Sequence, residues 1–183
     1  MTGIPQFEAL DMDLKSFIRT VPDFPKPGIL FYDITTLLKD TEAFARVLRG
    51  LAEPFLSRVV DKVVAIESRG FIFGAPLAER LHTGFVPIRK PGKLPAACIE
   101  EKYSLEYGTS TLTLHQDAIG QGDRVLIVDD LLATGGTASA AVRLIRALGG
   151  NVIGAAFVIE LAFLNGRAQL DGIPLFSLLT YDR

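Results

Sequence analysis

The sequence predicts an α/β fold: a central, mostly parallel sheet flanked by helices. Three observations carry that prediction. Apolar, strand-like runs alternate with helix-periodic segments along the chain. The clearest run, Arg124-Val125-Leu126-Ile127-Val128, is continuously apolar after its first residue, as strands covered on both faces are. Residues suited to chemistry follow directly after these runs, where an open α/β sheet presents the carboxyl ends of its strands. A length of 183 residues fits one domain over 1–183, large enough to bury a core without staples. Hydrophobic residues make up 49% and charged residues 22%, which excludes a largely disordered chain.

Each element can be justified in order. The first twenty residues offer a helix packing through Leu14, Phe17 and Ile18. Val21 to Phe31 is rich in proline (Pro22, Pro25, Pro27) and reads either as an extended polyproline connector over the sheet or as one wall of a pocket. Phe44, Val47, Leu48, Leu51 and Phe55 recur at a 3-4-3-4 spacing, one face of a helix from Asp40 to Phe55 with Asp40 or Thr41 as its cap. Val59 to Ile66 is β-branched and apolar and reads as a buried strand. A short helix from about Gly74 to Leu81 follows, with Pro76 tolerated only near its first turn. Phe85–Ile88 is a second strand and Arg124–Val128 a third. Ala138, Ala141, Val142, Ile145 and Leu148 then form one helical face ended by Gly149-Gly150. Val152–Ile159 and Leu175–Leu179 complete the strands. The intervening Pro91–Gly122 stretch, roughly thirty residues without a helical pattern, predicts a mobile loop or β-ribbon that covers a site.

Several function classes are excluded. With 19 Lys+Arg against 21 Asp+Glu, the net charge of −2 argues against a broad nucleic-acid face. Cys98 is the single cysteine; it reads as a reduced bystander thiol, with a catalytic nucleophile as the alternative. His82 and His115 are the two histidines, so no zinc cluster is expected. No signal-peptide pattern opens the chain, and the apolar stretch Val152–Leu164 contains Glu160 and is too short to span a bilayer. The expected setting is cytoplasmic and reducing, without a membrane partner.

The strongest chemical signal is Val125-Leu126-Ile127-Val128-Asp129-Asp130-Leu131-Leu132-Ala133-Thr134-Gly135-Gly136-Thr137. A buried strand delivers two adjacent carboxylates to its end, and a turn with two glycines and two threonines then opens a helix. Gly135 and Gly136 let a phosphate approach the backbone, where free N–H groups and the helix dipole favour an anion. Asp129 and Asp130 would repel that anion, and suit ribose hydroxyls or a hydrated cation. Strand, acidic pair and turn together describe a sugar phosphate lying across the strand end. A Walker loop does not fit, because no Gly-Lys-Ser/Thr follows four variable residues.

This run resembles the 5-phosphoribosyl-1-pyrophosphate (PRPP) motif of the type I phosphoribosyltransferases. The resemblance implies that family's fold, with a small N-terminal hood (about 1–35, including the base pocket) and a flexible catalytic loop (about 96–110). It also implies that Asp129 and Asp130 hold the ribose hydroxyls, and that Ala133, Thr134, Gly135, Gly136 and Thr137 cradle the 5′-phosphate. Other segments bear on the base. Pro22-Asp23-Phe24-Pro25, Ser68-Arg69-Gly70-Phe71, Arg89-Lys90-Pro91-Gly92-Lys93-Leu94-Pro95 and Tyr103-Ser104-Leu105-Glu106-Tyr107-Gly108 occur here with Ala133–Thr137. As a set they are similar to the adenine phosphoribosyltransferases within that family, from about Val21 to the end of the chain.

That similarity implies the reaction adenine + PRPP → AMP + pyrophosphate, a purine salvage step, with Mg2+ held mainly through PRPP, pyrophosphate and water rather than by a protein metal site. Leu30, Phe31 and Tyr32 would form the adenine pocket. The pyrophosphate loop would be Glu67–Gly70, with a non-proline cis peptide expected before Ser68, and Ser68, Arg69, Gly70, Arg89, Lys90 and Lys93 would bind the pyrophosphate. Glu106 would exchange a proton with N7 of adenine, flanked by the loop aromatics Tyr103 and Tyr107. A homodimer is implied as well. One departure is Tyr32, where relatives commonly carry Arg, so a side-chain contact there must differ while a backbone contact survives. The alternatives are a phosphoribosyltransferase for a 6-oxo base and a non-catalytic PRPP sensor. The sensor needs a DNA-binding appendage, for which the residues before Val21 leave little room.

Overall fold

The computed structural model describes residues 13–104 and 108–183, so Glu106 and Tyr107 lie outside the described residues. The chain divides into two compact units, Met1–Arg46 and Val47–Arg183.

In the first unit a 3-10 turn, Leu14–Phe17, is capped by Asp13, whose carboxylate accepts from the Lys15 N–H. Leu14 and Ile18 are buried, and Phe17 is half-buried. The proline-rich stretch is an antiparallel hairpin, not a polyproline connector: β1 (Arg19–Pro22) pairs with β2 (Leu30–Asp33) from Arg19↔Asp33 to Pro22↔Leu30. Its loop is closed locally, because the Asp23 carboxylate accepts from the Gly28 N–H at 2.7 Å and Phe24 N–H donates to the Ile29 carbonyl. Phe24 stacks edge-on against Phe31, with centroids 5.1 Å apart. Helical periodicity could not reveal this closure, because it rests on one aspartate and one ring pair. At the hairpin's open end, hydrogen bonds from Thr35 and Arg19 hold the Asp33 carboxyl down to about 2. Helix α1 (Thr35–Leu38) follows, and Thr36 Oγ1 donates back to the Phe17 carbonyl. Helix α2 (Thr41–Ala52) starts as the sequence predicts, with Asp40 accepting from the Ala43 N–H at 2.9 Å.

The second unit is built on a five-stranded parallel sheet in the order β4-β3-β7-β8-β9. Its strands are β3 (Lys62–Ile66), β4 (Gly84–Ile88), β7 (Arg124–Leu132), β8 (Asn151–Leu161) and β9 (Leu175–Tyr181). Two of its crossovers are α-helices: α3 (Gly70–Arg80) between β3 and β4, and α4 (Gly136–Ala147) between β7 and β8. Side chains alternate across the strands. Val64, Ile66, Val125, Ile127, Ala155 and Phe157 join one core cluster with Ala138, Ala141, Val142 and Ile145 of α4. Ala65 faces the other way, against α3, where a Cβ at Gly74 would stand 2.5 Å from that of Ala65. The long segment before β7 is an antiparallel ribbon, β5 (Cys98–Ser104) with β6 (Thr109–His115).

The starts of α3 and β3 differ from the periodicity. Helix α3 begins at Gly70 and carries Pro76 in its interior, because burial of Phe73, Gly74, Leu77 and Ala78 outweighs one missing backbone hydrogen bond. Strand β3 begins at Lys62, and Val59 is exposed. The reason is Asp61, whose two carboxylate oxygens take Arg124 Nε (2.8 Å) and Nη2 (2.9 Å) as well as the Arg124 N–H (2.8 Å). That fork pins the entry of β3 beside the entry of β7 and diverts the chain ahead of it. The same hydrogen bonds hold the Asp61 carboxyl well below the usual carboxylate range. A depressed carboxyl stabilises the fold above its unfolded value and ceases to do so as the pH falls. Asp61→Asn is therefore expected to lower Tm at pH 7, the gap to the parent closing as the pH drops below roughly 4. Thermal melts of both proteins between neutral and acid pH check this, and a gap independent of pH refutes it.

Candidate active site at the carboxyl end of the sheet

Strand β3 lies at the centre of the connectivity: the chain leaves it outward to β4 and returns on its other side as β7. The strand ends of β3 and β7 therefore flank a topological switch point, where crevices open in sheets of this kind. A cleft of about 250 Å³ occupies that place. It is lined by Ile66, Glu67, Arg69, Lys90, Tyr103, Leu112, Asp129, Leu131, Leu132 and the run Ala133–Ala138.

The glycine turn opens a helix, as its sequence suggests. Gly135 sits at φ +83°, a backbone conformation that other residues adopt only with strain. It is the N-terminal cap of α4, yet no side chain caps that end. The first-turn N–H groups of a helix have no partner within it, so those of Gly136, Thr137 and Ala138 are available to an anion in the cleft they line.

Beside the turn, β7 continues through both aspartates, four residues further than apolarity alone indicated. Asp129 lines the cleft, and its Oδ1 accepts from the Asp130 N–H at 2.9 Å. Asp130 is buried and pairs through Oδ2 with Arg69 Nε at 2.9 Å. Burial pushes both carboxyls up; the neighbouring Asp130 adds to the rise at Asp129, while Arg69 opposes it at Asp130. The close fit of β3's end to β7 explains Gly70: a Cβ there would stand 2.8 Å from Asp129 Oδ1 and 3.0 Å from the Val128 carbonyl.

The Glu67–Ser68 peptide is cis. Glu67 organises the basic segment after β4. Its Oε1 takes Arg89 Nη2 (3.1 Å), and its Oε2 takes Arg89 Nε (3.2 Å) and the Lys90 N–H (3.0 Å). Arg89 Nη1 donates to the Lys93 carbonyl at 3.1 Å. Hydrogen bonds from Arg89 and then Lys90 lower the Glu67 carboxyl, so it stays ionised beside the guanidinium. Sequence reasoning placed Glu67 at the head of the pyrophosphate loop but not its partner, since a lone glutamate after a strand does not announce which cation it will hold.

The cleft thus gathers Arg69, Lys90, Tyr103, Asp129 and Ala133–Thr137 from the expected site residues. Asp130 and Arg89 are joined to the lining by ion pairs with Arg69 and Glu67, Ser68 and Gly70 flank Arg69 in the chain, and the exposed Lys93 is not among the lining residues. Leu30, Phe31 and Tyr32 belong to the first unit. There Leu30 is exposed, Phe31 half-buried and Tyr32 buried, with its phenol pushed up by that burial. Among the described residues no three His, Cys, Asp or Glu side chains come together as a metal-binding group, and no helix is long and apolar enough to cross a membrane.

Comparison with known proteins agrees with this geometry. The phosphoribosyl transferase domain family matches residues 35–170. An adenine phosphoribosyltransferase of Solibacter usitatus is 64% identical over 171 residues, covering 93% of this chain and 99% of the relative. The crystal structure of the adenine phosphoribosyltransferase from Thermoanaerobacter pseudethanolicus superposes with a TM-score of 0.90 at 53% identity, covering 92% of this chain and 98% of the other. That of Saccharomyces cerevisiae, complexed with an imino-altritol bisphosphate and adenine, gives 0.86 at 42% identity over 91% and 97% of the two chains. With its parallel sheet, its glycine turn on a bare helix end and the acidic pair beside it, the chain belongs to the adenine phosphoribosyltransferases, a family of type I phosphoribosyltransferase fold.

Proposed function

We propose that the cleft at the carboxyl ends of β3 and β7 binds PRPP, and that the chain transfers its 5-phosphoribosyl group to N9 of adenine, giving AMP and pyrophosphate. The observation that carries the site reading is the uncapped N-terminus of α4, turned by Gly135 at φ +83° and lining the same cleft as Asp129. In it, Ala133–Thr137 hold the 5′-phosphate by backbone N–H groups and threonine hydroxyls. Asp129 and Asp130 hold the ribose hydroxyls, Asp130 by sharing its carboxylate with Arg69.

Breaking the C1′–O bond builds positive character on the ribose and negative charge on the leaving pyrophosphate. Arg69 and Lys90 face that charge from the cleft, helped by the backbone of Ser68 and Gly70 and by the charges of Arg89 and Lys93. Glu67 orients Arg89 and keeps the segment's local charge in balance before substrate arrives. Leu30, Phe31 and Tyr32 form the adenine pocket, by aromatic contact and backbone groups. Glu106 exchanges the proton at N7, within a loop (about 96–110) that closes with Tyr103 and Tyr107 to exclude water. The donor set suits Mg2+ carried in with the substrate: Asp129 supplies one cleft oxygen, Asp130 is engaged by Arg69, and no third carboxylate joins them among the described residues. When bound, the ion supplies charge neutralisation for the diphosphate. Family resemblance supports a homodimer working in the cytoplasm.

Pyrophosphate release assayed with PRPP and adenine, hypoxanthine, guanine or xanthine tests the reaction. Adenine alone is expected to turn over; turnover of a 6-oxo base in its place, or of none, overturns it. Thr134→Val tests the phosphate site. Loss of one hydroxyl bonded to a charged phosphate is worth about 1.5–3 kcal/mol, so the PRPP KM should rise about ten- to a hundredfold. An unaltered KM would move the phosphate elsewhere.

A further inference from the structure

Glu160 is a buried carboxylate for which the proposed reaction has no use. It lies near the end of β8, in register with Leu132 of β7, the residue that leads into the phosphate turn. Arg167 forks onto it, Nε to Oε1 at 2.5 Å and Nη2 to Oε2 at 2.6 Å, and Nη2 also reaches Ser177 Oγ on β9 at 3.4 Å. Arg167 belongs to the 3-10 turn Gly166–Leu170, entered through Asn165 at φ +51°. Immediately before it, Gly166 presses on the phosphate turn without any side chain between them. A Cβ on Gly166 would strike the Ala133 carbonyl and stand 3.0 Å from the Gly135 nitrogen. Reciprocally, a Cβ on Gly135 would strike the Gly166 carbonyl and stand 2.9 Å from the Gln169 Cβ. The back of the phosphate turn therefore rests on this segment, and the segment is tied to the sheet at the height where the turn leaves it.

We infer that Gly166 and the Glu160–Arg167 pair form a platform that holds Ala133–Gly135 in the conformation that receives the 5′-phosphate. Arg167 and Glu160 are then positioning residues, acting through the turn. The inference rests on the phosphate-site reading above. Glu160 is buried but the Arg167 side chain is about half exposed, so the pair is a poor source of net stability, and its two-pronged geometry serves better to specify one arrangement. Burial alone would raise the Glu160 carboxyl, but hydrogen bonds from Arg167 and Ser177 outweigh it, so the pair stays charged.

The test uses the full-length chain carrying Glu160→Met with Arg167→Met, which removes both charges together, so that no buried Glu160 carboxylate is left without its partner. The platform predicts a rise in the PRPP KM of about ten- to a hundredfold, with a near-parental adenine KM and Tm and a smaller rise for Arg167→Lys. A purely structural pair predicts a changed Tm with an unchanged PRPP KM, and that result overturns the inference. Should the double variant not fold, Arg167→Lys decides, and an unchanged PRPP KM in it refutes the platform. Thr134→Val, measured alongside, separates the two failures. If it raises the PRPP KM while the pair variants do not, only the platform falls; if Thr134→Val leaves it unchanged, the phosphate site falls and takes the platform with it.

Discussion

Replacing Glu106 by Gln is expected to lower kcat by about 10²–10⁴-fold, the usual worth of a positioned general acid–base. The PRPP KM should change little. Glutamine keeps the shape and one hydrogen-bonding oxygen of glutamate but cannot accept and return a proton. Adenine must lose its N9 proton and pass through a tautomer in which N7 matters, so the loss falls on the chemical step rather than on binding of the phosphorylated sugar. Steady-state kinetics with both substrates varied separate the two: a fall in kcat at constant PRPP KM is the expected pattern. An unchanged kcat removes Glu106 from the reaction.

Gly135→Ala should be nearly as damaging, for reasons of backbone geometry. At φ +83° an alanine is strained, by roughly 1–2 kcal/mol. Its methyl group would also run into the Gly166 carbonyl, which is backbone and cannot swing aside. The turn must shift, and displacement of a substrate-holding group by about 1 Å costs on the order of 10²-fold. Most of that should appear as a raised PRPP KM, because the turn holds the phosphate in substrate and transition state alike. A glycine-to-alanine change at Gly172, where φ is +76° but a Cβ meets nothing within 4 Å, serves as the control for strain without collision. If Gly135→Ala binds PRPP as the parent does, the turn is not the phosphate site.

Both variants target residues visible in the sequence, and the reason is local. The glycine turn proposed to hold the 5′-phosphate is made from consecutive residues, so its glycines, threonines and preceding strand appear together in one run. The α/β class was readable for the same reason, since strand and helix periods are properties of short windows. Pairs of residues far apart in sequence escaped that reading. Asp61 with Arg124 moved the start of β3, Glu67 with Arg89 tied the two basic strand ends together, and Arg69 with Asp130 joined a presumed pyrophosphate ligand to a presumed ribose ligand. The hairpin β1–β2 escaped as well, because a segment with three prolines looks extended in isolation and its pairing depends on a turn closed by Asp23.

The sequence by itself determined the chemistry on offer: a glycine- and threonine-rich turn suited to an anion, two carboxylates, three basic residues after a strand, and the resemblance that binds them to one family. Only the tertiary structure decided which of those charges face the cleft and which are spent on each other. It also supplied Gly166, which lies 31 residues beyond Gly135 in the chain yet touches it. Contacts of that kind are set by the order of strands in the sheet and by the register of β8 on β7, and no window of local sequence records either.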